Sequence, residues 1–116
     1  MTVQLELPTA IAQGQAQAVA CLEKTRQEVN DWPERALAAL QLFINQQKIY
    51  GRGELFTSEE AVAYAYDHGL PHAHDDRAFG ALFVKLVRSG QITQSTELYR
   101  RTKGHGSVAL KWKIVG

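Results

Sequence analysis

Three cations recur along one stretch of the chain at a spacing able to present them together. Arg77, Lys85 and Arg88 are joined by Ala81. On a helix turning about 100° per residue these four share one side. Phe79, Leu82, Phe83, Leu86 and Val87 fall on the other. Long cations around a short alanine suit the major groove of DNA. The alanine permits close approach, and arginine or lysine reaches guanine edges and phosphates. Gly80 lies at the flank of this face, where it would let a backbone or a neighbouring helix come close.

A second basic element follows. The run from Tyr99 to Ser107 holds Arg100, Arg101, Lys103 and His105, opened by Gly104 and Gly106. As the tip of a hairpin it would reach phosphates or the minor groove. Tyr99 and Tyr50 are the aromatic residues suited to surface contact. Trp32, Trp112, Phe43, Phe79 and Phe83 read as core, because stacking on bases would require them to be exposed.

Charge is distributed unevenly. Residues 1–76 hold five Lys/Arg and eleven Asp/Glu, a balance of −6. Residues 77–116 hold eight Lys/Arg and only Glu97, a balance of +7. The asymmetry points to a polyanion as partner of the basic half. The alternative is that the two halves neutralise each other within the fold.

Other chemistries find less support. His68, His72 and His74 cluster with Asp67, Asp75 and Asp76, but their spacing matches no zinc motif, and they read as polar loop residues. No metal or other cofactor is expected. Gly51-Arg52-Gly53 is too short for a phosphate loop, and neither a nucleophile elbow nor a Cys–His signature is present. Glu59 and Glu60 at a helix start serve the helix dipole better than acid–base work. The chain is therefore not expected to be an enzyme or to take a small-molecule substrate.

The elements that must position these residues are legible in outline. Val3, Leu5 and Leu7 alternate with polar residues up to Pro8, a short-strand pattern. Thr9 to Val29 reads as a helix with a thin apolar stripe of Ile11, Ala18, Leu22 and Val29, packed on the body or paired with another subunit. Cys21, in this stretch, reads as a small core or interface residue. Asp31 with Glu34 forms a capping box, and Pro33 suits the first turn of a helix over Trp32–Lys48. Its apolar face is Ala36, Leu37, Leu40, Phe43 and Ile44. A turn over Tyr50–Gly53 follows.

Thr57-Ser58-Glu59-Glu60 is a second capping box, opening a helix over Ser58–His68 whose buried face is Val62, Ala65 and Tyr66. Gly69 and Pro71 end it. After a loop, Asp75 or Asp76 caps a helix over Asp76–Ser89 that stops at Gly90. Ile92–Ser95 and Val108–Ile114 read as strands flanking the basic loop.

Composition bounds the class. With 116 residues, 45% hydrophobic and 22% charged, the chain suits one globular fold. It divides into an N-terminal arm over 1–30, a candidate oligomerisation element, and a domain over 31–116. A lone cysteine suits a reducing cytoplasm. No apolar run approaches the roughly 20 residues of a membrane span, and no leader pattern opens the sequence. The expected class is α+β, mainly α. It is a winged helix-turn-helix: a three-helix core and a C-terminal hairpin wing, preceded by an extra helix.

Several strings carry a family resemblance: Trp32–Leu40, Phe56-Thr57-Ser58-Glu59-Glu60, Gly69-Leu70-Pro71, Asp76-Arg77-Ala78-Phe79-Gly80, Gly90-Gln91-Ile92, and His105-Gly106 with Trp112. Over about Ala16 to Ile114 the chain resembles small winged-helix proteins encoded by bacteriophages and prophages. The resemblance implies DNA transactions of a mobile element, in regulation or as a replication accessory. Duplex DNA is the expected partner, with a homodimer formed through the N-terminal helix. The rival expectation is a winged helix that docks a protein and has lost DNA binding.

Overall fold

Four helices and a small antiparallel sheet make up the structure, a computed structural model that describes residues 2–50, 54–102 and 108–115, with side chains from residue 15 onward. The fold is α+β and mainly helical. The order is α1 (Thr2–Glu28), α2 (Trp32–Tyr50), β1 (Leu55–Phe56), α3 (Ser58–Asp67), α4 (Ala78–Arg88), β2 (Ile92–Arg100) and β3 (Val108–Ile114). The sheet runs β1-β3-β2, so the first strand pairs with the last. Phe56 stands opposite Trp112, and Ile92 opposite Ile114.

The expected strand at Val3–Leu7 is absent; these residues lie in α1, which begins at Thr2 and runs through Pro8. Three alternating positions are too few to set a period against a long helix-forming stretch. The sheet also offers them no partner strand among the described residues.

The stripe along α1 packs within the chain. Ala18 and Leu22 are buried and Val29 is half-buried, while the Ile11 side chain lies outside the described residues. Thr25 is fully buried on the same side. Its hydroxyl donates to the Cys21 carbonyl at 2.9 Å and accepts the His74 amide at 3.1 Å, tying α1 to the loop ahead of α4. Of the two readings of this stripe, packing on the body accounts for Ala18 and Leu22.

The Thr57 cap and the two glycine stops act as the sequence indicates. Thr57 is the N-cap of α3: its hydroxyl accepts the Glu60 amide at 3.1 Å and donates to the Glu60 carboxylate at 3.2 Å. At the far ends of α3 and α4, Gly69 (φ 92°) and Gly90 (φ 79°) take the left-handed conformation. In each case the glycine amide bonds three residues back and the next amide five back, as in a Schellman stop. Asp31 shows no side-chain cap; its carboxylate faces Arg35 at 3.9 Å.

The core forms where the helices meet the sheet. Trp32, Ala36, Leu40, Phe43 and Ile44 of α2 join Ala61 and Ala65 of α3 and Ala78, Phe79, Leu82, Phe83 and Leu86 of α4. Phe56, Ile92 and Ile114 close it from the sheet. Val62 and Tyr66 are only partly buried, and Val87, expected inside, is 38% exposed. Trp32 meets Phe79 edge-on at 5.1 Å and donates its indole N–H to the Pro71 carbonyl at 2.6 Å. That bond pins the irregular segment entering α4. No helix among the described residues is long and apolar enough to cross a membrane.

Candidate nucleic-acid interface

The candidate site is built on α4, whose strongly one-sided apolar face fixes which residues look outward. Asp75 opens it: its carboxylate accepts the Arg77 amide at 2.9 Å, as a capping aspartate does. One turn of three-residue hydrogen bonds, Asp75 to Ala78 through Arg77 to Gly80, leads into the helix proper. The helix therefore starts at Ala78 rather than Asp76.

The four residues expected on the outward face differ in state. Lys85 and Arg88 are exposed, with no hydrogen-bond or ion-pair partner among the described residues. Ala81 is half-buried against the core. Arg77 is held by its own chain: Nη2 lies 2.8 Å and Nε 3.2 Å from the two oxygens of Asp75, and Nη1 reaches Gln17 of α1 at 3.4 Å. The side-chain hydrogen bonds from Arg77 are the chief reason the Asp75 carboxyl is lowered to about 2, with the Arg77 amide next. The same contact raises Arg77 from its ordinary value.

Gly80 answers the question of close approach. A Cβ there would lie 3.2 Å from the Ala18 Cβ, so α1 crosses α4 at this point. The neighbouring helix that the glycine was expected to admit is the N-terminal one.

Two expected wing residues belong to a strand. β2 extends to Arg100, beyond the expected Ser95, so Tyr99 and Arg100 pair with Ala109 and Val108. Tyr99 is half-buried, its hydroxyl is enclosed, and no hydrogen-bond partner meets it among the described residues. Arg100 is exposed and already engaged. Arg101 is exposed with no partner among the described residues. Lys103 and His105 lie outside the described residues.

The strand looked short in the sequence because its register slips. Gln94 faces Trp112 and Leu98 faces Leu110, so β2 carries two extra residues between these pairs. Ser95 accepts the Glu97 amide at 3.2 Å, and Glu97 accepts from Lys111 at 2.9 Å, organising the bulge.

Sequence reasoning missed one wing contact. Glu59, in the first turn of α3, accepts the Thr102 amide at 2.9 Å and also the Thr102 hydroxyl. This ties the start of the hairpin loop to α3. A capping box at Thr57–Glu60 advertises an acidic first turn, but nothing in the spacing links it to a threonine forty-three positions on.

The remaining cations of the basic half are partnered. Lys111 meets Glu97, and Lys113 lies 3.8 Å from Glu54. The internal neutralisation considered from charge alone is thus partial, and it spares Lys85, Arg88 and Arg101. The histidines are dispersed: His68 stacks on Tyr64 and His72 on Tyr66, while His74 lies 3.6 Å from Glu28. Among the described residues no three His, Cys, Asp or Glu side chains converge on a metal-sized site. No protein-family model matches the chain, and no match was found among curated proteins or solved structures.

Proposed function

We propose that the chain is a winged helix-turn-helix protein that binds duplex DNA in the cytoplasm, a regulator or replication accessory of the phage and prophage type. The element order α2-β1-α3-α4-β2-β3, with β1 beside β3, supports this reading. In it α4 is the recognition helix and the β2–β3 hairpin the wing.

The observation that carries the proposal is the state of Lys85 and Arg88. They sit three residues apart on the exposed face of α4 and have no carboxylate partner among the described residues, while Arg77, Lys111 and Lys113 spend their charge on carboxylates. An uncommitted cation on a helix end is what a phosphate or a guanine edge requires. Arg77 acts here as a clamp on Asp75 rather than as a reader.

The test is duplex binding against salt. With Arg88 and Arg101 each neutralising one phosphate and Lys85 reaching a guanine edge, log affinity should fall against log salt with a slope of roughly −2. Lys85→Ala should lower affinity and relax sequence preference, whereas Arg101→Ala should weaken all duplexes alike. A flat salt profile overturns the proposal.

One observation favours the rival, protein-docking reading. α1 lies across the flank of α4 at Gly80, and Gln17 holds Arg77, which narrows the face a groove would receive. If the intact chain binds no duplex at low salt while K85A and R88A abolish capture of an acidic protein, that reading replaces the first.

A further inference from the structure

A cleft of about 550 Å³ opens between α2, β1 and α3 and shares no residue with α4. Phe43, Tyr50 and Tyr64 supply aromatic surface to it, and Glu60 and Asp67 are its charged groups. Among the described residues no lysine or arginine lines it. Gln47 also lines the cleft. It is only 8% exposed, and its side-chain oxygen is buried with no hydrogen-bond partner among the described residues. An acceptor left in that state costs about 1–3 kcal/mol unless a donor reaches it.

We propose that this cleft binds the side chain of an arginine presented by a partner polypeptide. The charged and unmet groups are all acceptors: the two carboxylates and the Gln47 oxygen. A guanidinium offers five N–H donors, carries the complementary charge, and is flat enough to lie on aromatic rings. A nucleobase would also stack on these rings, but its phosphates would meet Glu60 and Asp67 and be repelled. A lysine ammonium matches the charge, yet it lacks the planar fork that can engage a carboxylate and an amide oxygen together. Asp67 is exposed and has no side-chain hydrogen bond among the described residues, so its carboxylate can turn to the ligand. Glu60 is held by Thr57, which fixes its carboxylate at one wall.

The test titrates N-acetyl-arginine amide into the intact protein and follows side-chain and amide NMR signals, with N-acetyl-citrulline amide as the neutral isostere. The expected result is a saturable shift confined to Gln47, Tyr64, Asp67 and their neighbours. Citrulline should produce it only at far higher concentration. Asp67→Asn, an exposed change that leaves the core intact, should weaken arginine binding about two- to fivefold, the range of an exposed ion pair. Gln47→Met should weaken it further while the fold, judged by the dispersion of the amide spectrum, stays intact. Equal shifts for arginine and citrulline overturn the proposal. So do shifts centred elsewhere on the surface, or an unchanged affinity in D67N. None of these outcomes depends on whether α4 binds DNA.

Discussion

Gly80 of α4 and Ala18 of α1 meet so closely that a side chain at the glycine would stand 3.2 Å from the alanine methyl. The contact brings two helix backbones together, the close approach that the glycine allowed, and identifies the incoming helix as α1. It also makes the N-terminal helix part of the domain.

Substitutions at Gly80 should therefore split by size. Gly80→Ala gains up to about 1 kcal/mol of helix propensity and loses a similar amount by crowding Ala18. We expect little net change. Gly80→Leu cannot be accommodated without moving α1 and should cost about 1–3 kcal/mol. Urea unfolding of the two variants measures the difference.

Truncation tests the same interface from the other side. Removing residues 1–30 deletes Ala18, Leu22 and Thr25, all buried. The truncated chain should lose cooperative unfolding rather than merely a self-association function. Circular dichroism during thermal unfolding will decide it; a shortened chain with an unchanged Tm would show α1 to be dispensable.

The Arg77–Asp75 clamp gives stability a defined acid dependence. Asp75 titrates near 3.8 when unfolded and about 2 when folded, because Arg77 favours its charged form. Its contribution is complete above the unfolded value and is lost as pH falls from about 4 towards about 2. The carboxylate is a third exposed, so the effect is modest. Arg77→Ala should raise the Asp75 titration and remove this share of the acid-dependent loss, as read by NMR titration of the carboxyl and by urea midpoints across that window.

Glu59 should control the order of the wing. Glu59→Ala removes both bonds to Thr102 and a negative charge from the first turn of α3. We expect a loss of about 1 kcal/mol in global stability. Hydrogen exchange at the Thr102 amide should accelerate beyond that of the β2–β3 ladder. Unchanged protection at Thr102 would show the hairpin to be held by other means.

Trp32 tests the loop that feeds α4. Trp32→Phe keeps a ring against Phe79 but loses the bond to the Pro71 carbonyl and leaves a gap. A cost of about 1–3 kcal/mol is expected in urea unfolding.

These contacts show what a sequence can carry and what it cannot. The faces of α2 and α4 were legible because a buried stripe repeats at the helical period. The stops at Gly69 and Gly90 were legible because only a residue without Cβ turns there without strain. The state of the cations was not. Lys85 and Arg77 look alike in a helical projection, yet one is uncommitted and the other is closed on Asp75 two residues earlier. The extent of β2 was hidden for a related reason: a bulge breaks the alternation on which strand reading depends. The Glu59–Thr102 and Thr25–His74 contacts join distant segments, and no local pattern encodes such a meeting.

The two additional residues in β2 also bear on how copies of this chain avoid one another. β2 is one of the two edge strands, and its far side offers backbone donors and acceptors to any passing strand. A continuous straight row would template stacking into fibrils. The kink at Ser95–Glu97, with a carboxylate and an ammonium beside it, interrupts that row and makes the margin of the sheet a poor seed for amyloid-like growth.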